Sequence, residues 1–151
     1  ETITKSLNEL RTLSKLINPE YIKNIKLKEA VQLEVDRFNR LNYLDAKIIV
    51  NGDEKNIDEK PGIIIFRMLQ EFFSNTLKHS KASKLKVKLN YKKNELEIIA
   101  QDNGIGFKSN KENTNGIGLQ NIKKRAELIG ARANLTSTPN KGTSLIINYY
   151  F

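Results

Sequence analysis

The chain's 151 residues suffice for one domain with a substantial core, and 38% apolar against 28% charged residues reads as a soluble globular fold. With no cysteine and a single His79, disulfide frameworks, thiolate metal sites and multi-histidine centres are excluded, which fits a cytoplasmic domain. The net charge of +9 invites a nucleic-acid reading, but the lysines are scattered along the chain. Lys84, Lys86 and Lys88 alternate as on a solvated strand face or a protected edge, so no nucleic-acid partner is expected. A positive field equally serves a polyanionic small ligand.

The longest apolar run, Ile63-Ile64-Ile65-Phe66, is far short of the about 20 residues that span a bilayer. Nothing resembles a secretory signal. Because the chain begins at Glu1 and not at Met, the expectation is a piece of a longer protein, with any membrane segment lying outside it.

In chain order, Ile3, Leu7, Leu10, Ser14 and Ile17 step by four and three, the seam of a helix that packs on a partner or covers its own domain. Asn18-Pro19 interrupts it. A second helix is predicted from Leu27 to Asn42, a strand from Ala46 to Val50 ended by Asn51-Gly52, and a loop to Lys60. Pro61 suits the first turn of a third helix, predicted from Gly62 to His79. Strands follow at Lys84 to Tyr91 and Glu95 to Gln101, then a polar segment, Lys108 to Asn115, expected to be a mobile loop. A helix from Gly118 to Ile129 ends at Gly130, and strands at Ala133 to Ser137 and Thr143 to Tyr150 close the chain. Neighbouring strands on short connections favour a largely antiparallel sheet with helices on one face.

Three motifs carry chemistry. On the third helix, Arg67, Glu71, Asn75 and Lys78 fall on one polar stripe. Such a stripe is ordinarily just solvated, but the apolar set around it is wide enough to leave it narrow. An amide oxygen and a carboxylate one turn apart can position a metal and accept a proton. Asp102 ends a strand and is followed by Asn103-Gly104-Ile105-Gly106-Phe107. A carboxylate there can accept a hydrogen bond from an exocyclic amine, as adenine carries, and the glycines permit close approach of a planar ligand. Asn-Gly is by itself a turn signal, but a turn needs neither the second glycine nor Phe107. Asn115-Gly116-Ile117-Gly118-Leu119 opens a helix, where free backbone N–H groups bind phosphates or simply cap the helix. P-loop, dinucleotide-fold and Ser/Thr/Tyr-kinase signatures are absent.

The ordered set Glu71-x-x-x-Asn75, Asp102-x-Gly104-x-Gly106, Gly116-x-Gly118-Leu119 and Gly142-Thr143 resembles the GHKL ATPase superfamily of gyrase, heat-shock chaperone, histidine kinase and mismatch-repair ATPases. The stretches Gln70 to Ser80 and Gly118 to Gly130 are most similar to the catalytic domains of bacterial sensor histidine kinases, in the short nitrate-sensor and thermosensor-like branch. The resemblance covers residues 20–151. It implies a Bergerat-type ATP-binding fold, an α/β two-layer sandwich whose mixed, largely antiparallel sheet is covered by helices on one face.

It further implies that Asn75 ligates Mg2+, and that Glu71 acts as base or positions the attacking group. Asp102 would read the adenine amine with support from Thr143, often through water. Gly104 and Gly106 would line the adenine pocket. Gly116, Gly118 and Leu119 would hinge the loop over the phosphates, with Lys78 and His79 nearby. The chain has Lys26-Leu27 and Gly130-Ala131 where the family often has Gly-Leu and Gly-Gly, which touches turns and not chemistry. It lacks a phosphoacceptor histidine followed by an acidic residue on a dimerising helix.

Residues 1–19 are therefore expected to be a helical tail, the end of an upstream dimerisation helix, and residues 20–151 the ATP-binding catalytic domain. ATP and Mg2+ are the implied cofactors; the implied partners are an upstream histidine-phosphotransfer domain and a response regulator. The full-length protein is expected as a homodimer, open to membrane anchoring, and this piece as a cytoplasmic monomer. Two alternatives stand beside this reading. One is a stand-alone serine kinase of the anti-sigma-factor type, against which the tail ending at Asn18-Pro19 argues. The other is a non-catalytic nucleotide sensor, against which intact Glu71 and Asn75 argue.

Overall fold

Period-two and helical patterns resolve into two layers in the computed structural model, which describes residues 2–108 and 117–151. The sheet comprises β1 (Asp45–Asn51), β2 (Lys84–Tyr91), β3 (Glu95–Asp102), β4 (Arg132–Thr138) and β5 (Gly142–Tyr150), in the spatial order β1-β2-β3-β5-β4. β1 runs parallel to β2, and the other three pairings are antiparallel. Parallel neighbours need a crossover. Here α4 (Glu59–Asn75) supplies it, between the end of β1 and the start of β2. The expected mixed, largely antiparallel sheet is what forms.

Alternation gives the sheet one apolar face. Leu85, Val87 and Leu89 are buried, and the register carries the inward row through Leu96, Ile98 and Ala100 to Leu145 and Ile147. Lys84 and Lys86 point outward beside exposed Lys47 and Gln101. Since β2 is paired on both sides, these lysines mark a solvated face and not an edge.

The helical layer packs on the apolar face. In α4 the buried residues Ile65, Met68, Leu69, Phe72 and Phe73 recur at steps of three and four, the stripe of an amphipathic helix. α3 (Leu27–Arg40) buries Val31, Val35 and Phe38, and α5 (Ile117–Leu128) contributes Ile122 and Ala126. Phe38 and Phe73 meet edge to face with centroids 5.6 Å apart. The Asn39 side chain bonds both backbone groups of Ala46, at 2.9 and 2.8 Å, tying α3 to the edge strand.

Three local features refine the sequence expectation. Asn18-Pro19 ends α1 (Thr2–Ile17) but also starts a short α2 (Pro19–Lys23): the Asn18 side chain caps the Glu20 N–H, and Pro19 needs no donor there. The seam residues Ile3, Leu7, Leu10 and Ile17 are 76, 48, 63 and 70% exposed, whereas Leu16, off the seam, is 2% exposed and docks α1 on the domain. The third helix stops at Asn75, and Thr76–Ser80 form a π-helical turn ended by Lys81 in the left-handed conformation. Among the described residues no helix is long and apolar enough to cross a membrane.

Truncating Phe73 to alanine should lower unfolding free energy by about 3–5 kcal/mol in urea titration. A loss below about 1 kcal/mol would contradict its place at the centre of the helical layer.

Candidate functional site

Alternation along β3 turns Asp102 inward, where it is only 4% exposed. A carboxylate so buried is costly unless its oxygens are hydrogen-bonded. Its Oδ1 accepts the Gly104 N–H at 2.9 Å and the Thr143 N–H at 3.2 Å; its Oδ2 accepts the Thr76 hydroxyl at 2.9 Å. A carboxylate offers about four lone-pair positions, so one remains on Oδ2. Asp102 lines a cavity of about 430 Å³, whose apolar walls are Phe72, Ile105, Phe107, Leu119, Ile122 and Leu135. An apolar slot with one fixed acceptor suits a flat heteroaromatic ring that presents a donor.

The π-helical turn puts Thr76 where Asp102 needs it. The Ser80 hydroxyl donates to the Thr76 carbonyl at 2.6 Å and accepts the Ala82 N–H at 3.0 Å, which fixes the widened turn. The Ser80 carbonyl in turn accepts the Ile105 N–H at 2.7 Å. This docking brings the backbone against Gly104, where a Cβ would lie 2.5 Å from the Ser80 Cβ. Gly104 thus admits protein and not ligand, and it does not line the cavity as expected; Gly106 does.

The wider turn also changes which side chains reach the site. An i→i+5 turn rotates later residues off the α-helical stripe. His79 lines the cavity, whereas Lys78, placed on the stripe by α-helical spacing, is exposed and does not. Thr143 differs as well: its backbone N–H supports Asp102 directly, while its hydroxyl bonds Ser137 Oγ at 2.8 Å. Ser137 Oγ also accepts the Phe107 N–H at 2.8 Å, pinning the segment after Gly106 to β4.

At the other end of the cavity, α4 meets the start of α5. A Cβ on Gly118 would lie 2.7 Å from Glu71 Oε1 and 3.3 Å from Asn75 Nδ2, so the absent side chain leaves a cradle between the helices. The flanking donors are a carboxylate and an amide, hard oxygen ligands that suit Mg2+. Among the described residues no three His, Cys, Asp or Glu side chains form a metal cage.

The structure therefore brings Asn75, His79, Asp102, Gly106, Gly118, Leu119 and Thr143 to one cavity, with Glu71 beside Gly118 at its edge. Gly116 and most of the expected loop, residues 109–116, lie outside the described residues. Sequence reasoning missed Thr76, Ser80 and Ser137. For Ser137 a signal existed, since its register partner across the Pro139 to Gly142 turn is Thr143.

Residues 62–150 match the family of histidine kinase-, DNA gyrase B- and HSP90-like ATPases. The chain belongs to this ATPase family. It is 33% identical over 156 residues to an uncharacterised sensor-like histidine kinase of Chloroflexus aurantiacus, covering 97% of this chain and 26% of that protein. It is 33% identical over 140 residues to the sensor histidine kinase LiaS of Bacillus subtilis, covering 91% and 38%. The chain thus spans well under half the length of these curated relatives. In fold it resembles the histidine kinase domain of the blue-light activated kinase EL346 of Erythrobacter litoralis, with TM-score 0.69 and 18% identity over 91% of this chain and 74% of that one. The ATPase-family match covers α4 from Gly62 onward, the π-helical turn, Asp102 and Thr143, the parts from which the cavity is built.

Replacing Thr76 by valine strands an acceptor of buried Asp102 and should cost about 1–3 kcal/mol in urea unfolding, with serine close to the parent. An unchanged valine variant would show that the bond contributes nothing.

Proposed function

We propose that this chain is the Mg-ATP-binding catalytic domain of a sensor histidine kinase, which passes the γ-phosphoryl group to a histidine on an upstream dimerisation domain. The observation that carries the reading is buried Asp102, with one lone pair left on Oδ2 beside an apolar cavity. Adenine fits it as a flat apolar ring with an exocyclic amine. The phosphates then extend toward Gly118, Glu71 and Asn75, and the names of the curated relatives support the kinase reading.

Phosphoryl transfer asks little covalent chemistry of the protein, so catalysis is positioning and charge neutralisation. Asp102 and the apolar walls hold the base, fixing where the phosphates lie. Asn75 would hold Mg2+ through its amide oxygen with the phosphates; the ion supplies charge neutralisation. Glu71 accepts a hydrogen bond from the attacking imidazole and orients its nucleophilic nitrogen. The P–N bond forms as the bond from γ-phosphorus to the bridging oxygen breaks, and ADP leaves. His79 lies near the phosphates, and exposed Lys78 adds positive potential from outside the cavity. Gly118 and Leu119, at the start of α5, would lie against the phosphates.

The exposed seam of α1 supports the assignment of residues 1–19 to a dimerisation helix, and hence a homodimeric full-length protein and a monomeric isolated domain. A response-regulator aspartate would receive the phosphoryl group next. We place the domain in the cytoplasm, in keeping with its lack of cysteine.

Calorimetric titration should show Mg2+ raising ATP affinity about tenfold or more in the parent, with Asn75→Ala losing most of the gain. If Mg2+ makes no difference to the parent, the role of Asn75 is wrong. Incubated alone with γ-labelled Mg-ATP, the chain should bind nucleotide without labelling itself. Joined to its upstream segment it should yield phosphohistidine; phosphoserine on a partner would favour the serine-kinase alternative.

A further inference from the structure

Arg67 shares the α4 stripe with Glu71 and Asn75, yet its guanidinium serves another helix. It donates to the Leu16 carbonyl at 3.0 Å and the Ile17 carbonyl at 3.3 Å. These are C-terminal carbonyls that α1 leaves without helical partners, and a cation there is also favoured by the helix dipole. Gln70 completes the grip. Its amide nitrogen lies 3.5 Å from the Leu16 carbonyl and 3.2 Å from Glu34 Oε1, and its oxygen accepts from Arg67 at 2.6 Å.

The network then returns to α1. Glu34, 4% exposed, accepts Arg37 at 3.1 Å, and Arg37 and Arg40 reach Glu9 of α1 at 3.7 and 3.1 Å. Glu9 lies seven residues before Leu16, about 10 Å along the helix axis. A rod held at one point swivels; held at two it keeps its direction. The grip sits at the Asn18-Pro19 break, where the backbone alone would form a hinge. Burial, then the charge of Arg125 on α5, holds the Arg67 pKa below its ordinary value, opposed by Glu34. The guanidinium is thus a partly desolvated group between elements and not a loose surface charge.

We propose that Arg67 is a positioning residue: with Gln70 and Glu34 it locks α1 at a fixed angle to α4, so that a segment joined ahead of α1 is delivered along a set direction toward Glu71 and Asn75. Arg67 and Glu71 are one turn apart on one helix, which leaves no slack between lock and site. The consequence for phosphoryl transfer rests on the function proposed above; the lock itself does not.

Because the chain has no cysteine, spin labels can be placed through Lys5→Cys on α1 and Lys86→Cys on the outer sheet face. Pulsed dipolar spectroscopy should give one narrow distance distribution in the parent, a broad one in Arg67→Ala and an intermediate one in Arg67→Lys. ATP affinity should stay within about twofold throughout. A distribution that stays narrow in Arg67→Ala overturns the lock. If that variant does not fold, Glu9→Gln, which weakens the second grip, must broaden the distribution or the proposal fails. With a histidine-bearing segment joined ahead of α1, Arg67→Ala should lower kcat for phosphohistidine formation about tenfold or more with KM for ATP unchanged. An unchanged kcat overturns the positioning role. If the parent labels no histidine, the function reading fails, while the distance distributions still decide the lock.

Discussion

The carboxylate of Asp102 is the group around which this end of the molecule is organised. A buried charge needs donors from somewhere, and here they come from three separate pieces of chain: the π-helical turn through Thr76, the segment after β3 through Gly104, and β5 through Thr143. Satisfying one anion therefore fixes the relative placement of the crossover helix, the cavity rim and the strand behind it. The same bonds leave one acceptor position on Oδ2 beside the apolar cavity. On the proposed reading, structural and recognition roles coincide in this residue, because the donors that make its burial tolerable also fix its remaining lone pair.

α4 carries three tasks on one rod. Its apolar stripe anchors the helical layer, its polar stripe presents Glu71 and Asn75, and Arg67 on that polar side grips the end of α1. Rigidity follows from the burial of six large residues from Ile65 to Phe73, which leaves the helix no room to roll without opening the core. Where more reach is needed the helix gives way to a π-helical turn, and that change, not the helix itself, brings Thr76 to Asp102 and His79 to the cavity.

Much of this was legible in sequence. Hydrophobic period placed every strand to within a residue or two, and short connections pointed to the antiparallel pairings; the mixed character of the sheet, with β1 parallel to β2, was implied only by the family resemblance. Asp102, Gly106 and Gly118 belong to motifs whose residue types suit a local chemistry, but their convergence, and Thr143 with them, was implied by the family resemblance. The π-helical turn could not. It depends on the Ser80 hydroxyl back-bonding to Thr76 and on the Ser80 carbonyl receiving Ile105, contacts with no periodic signature. Lys78 was misplaced onto the stripe for that reason. The exposed seam of α1 was visible as a pattern, but which face would dock was decided by Leu16 and the Arg67 grip, and both depend on residues far along the chain.

The central claim is that Asp102 reads an exocyclic amine. Titrating the parent and Asp102→Asn with ATP and with GTP in Mg2+ tests it most directly. GTP places a carbonyl where adenine has its amine, so the parent should favour ATP by about tenfold or more, and Asp102→Asn should lose most of that preference. A parent that binds the two nucleotides equally, or a variant that keeps the full preference for ATP, would contradict the account.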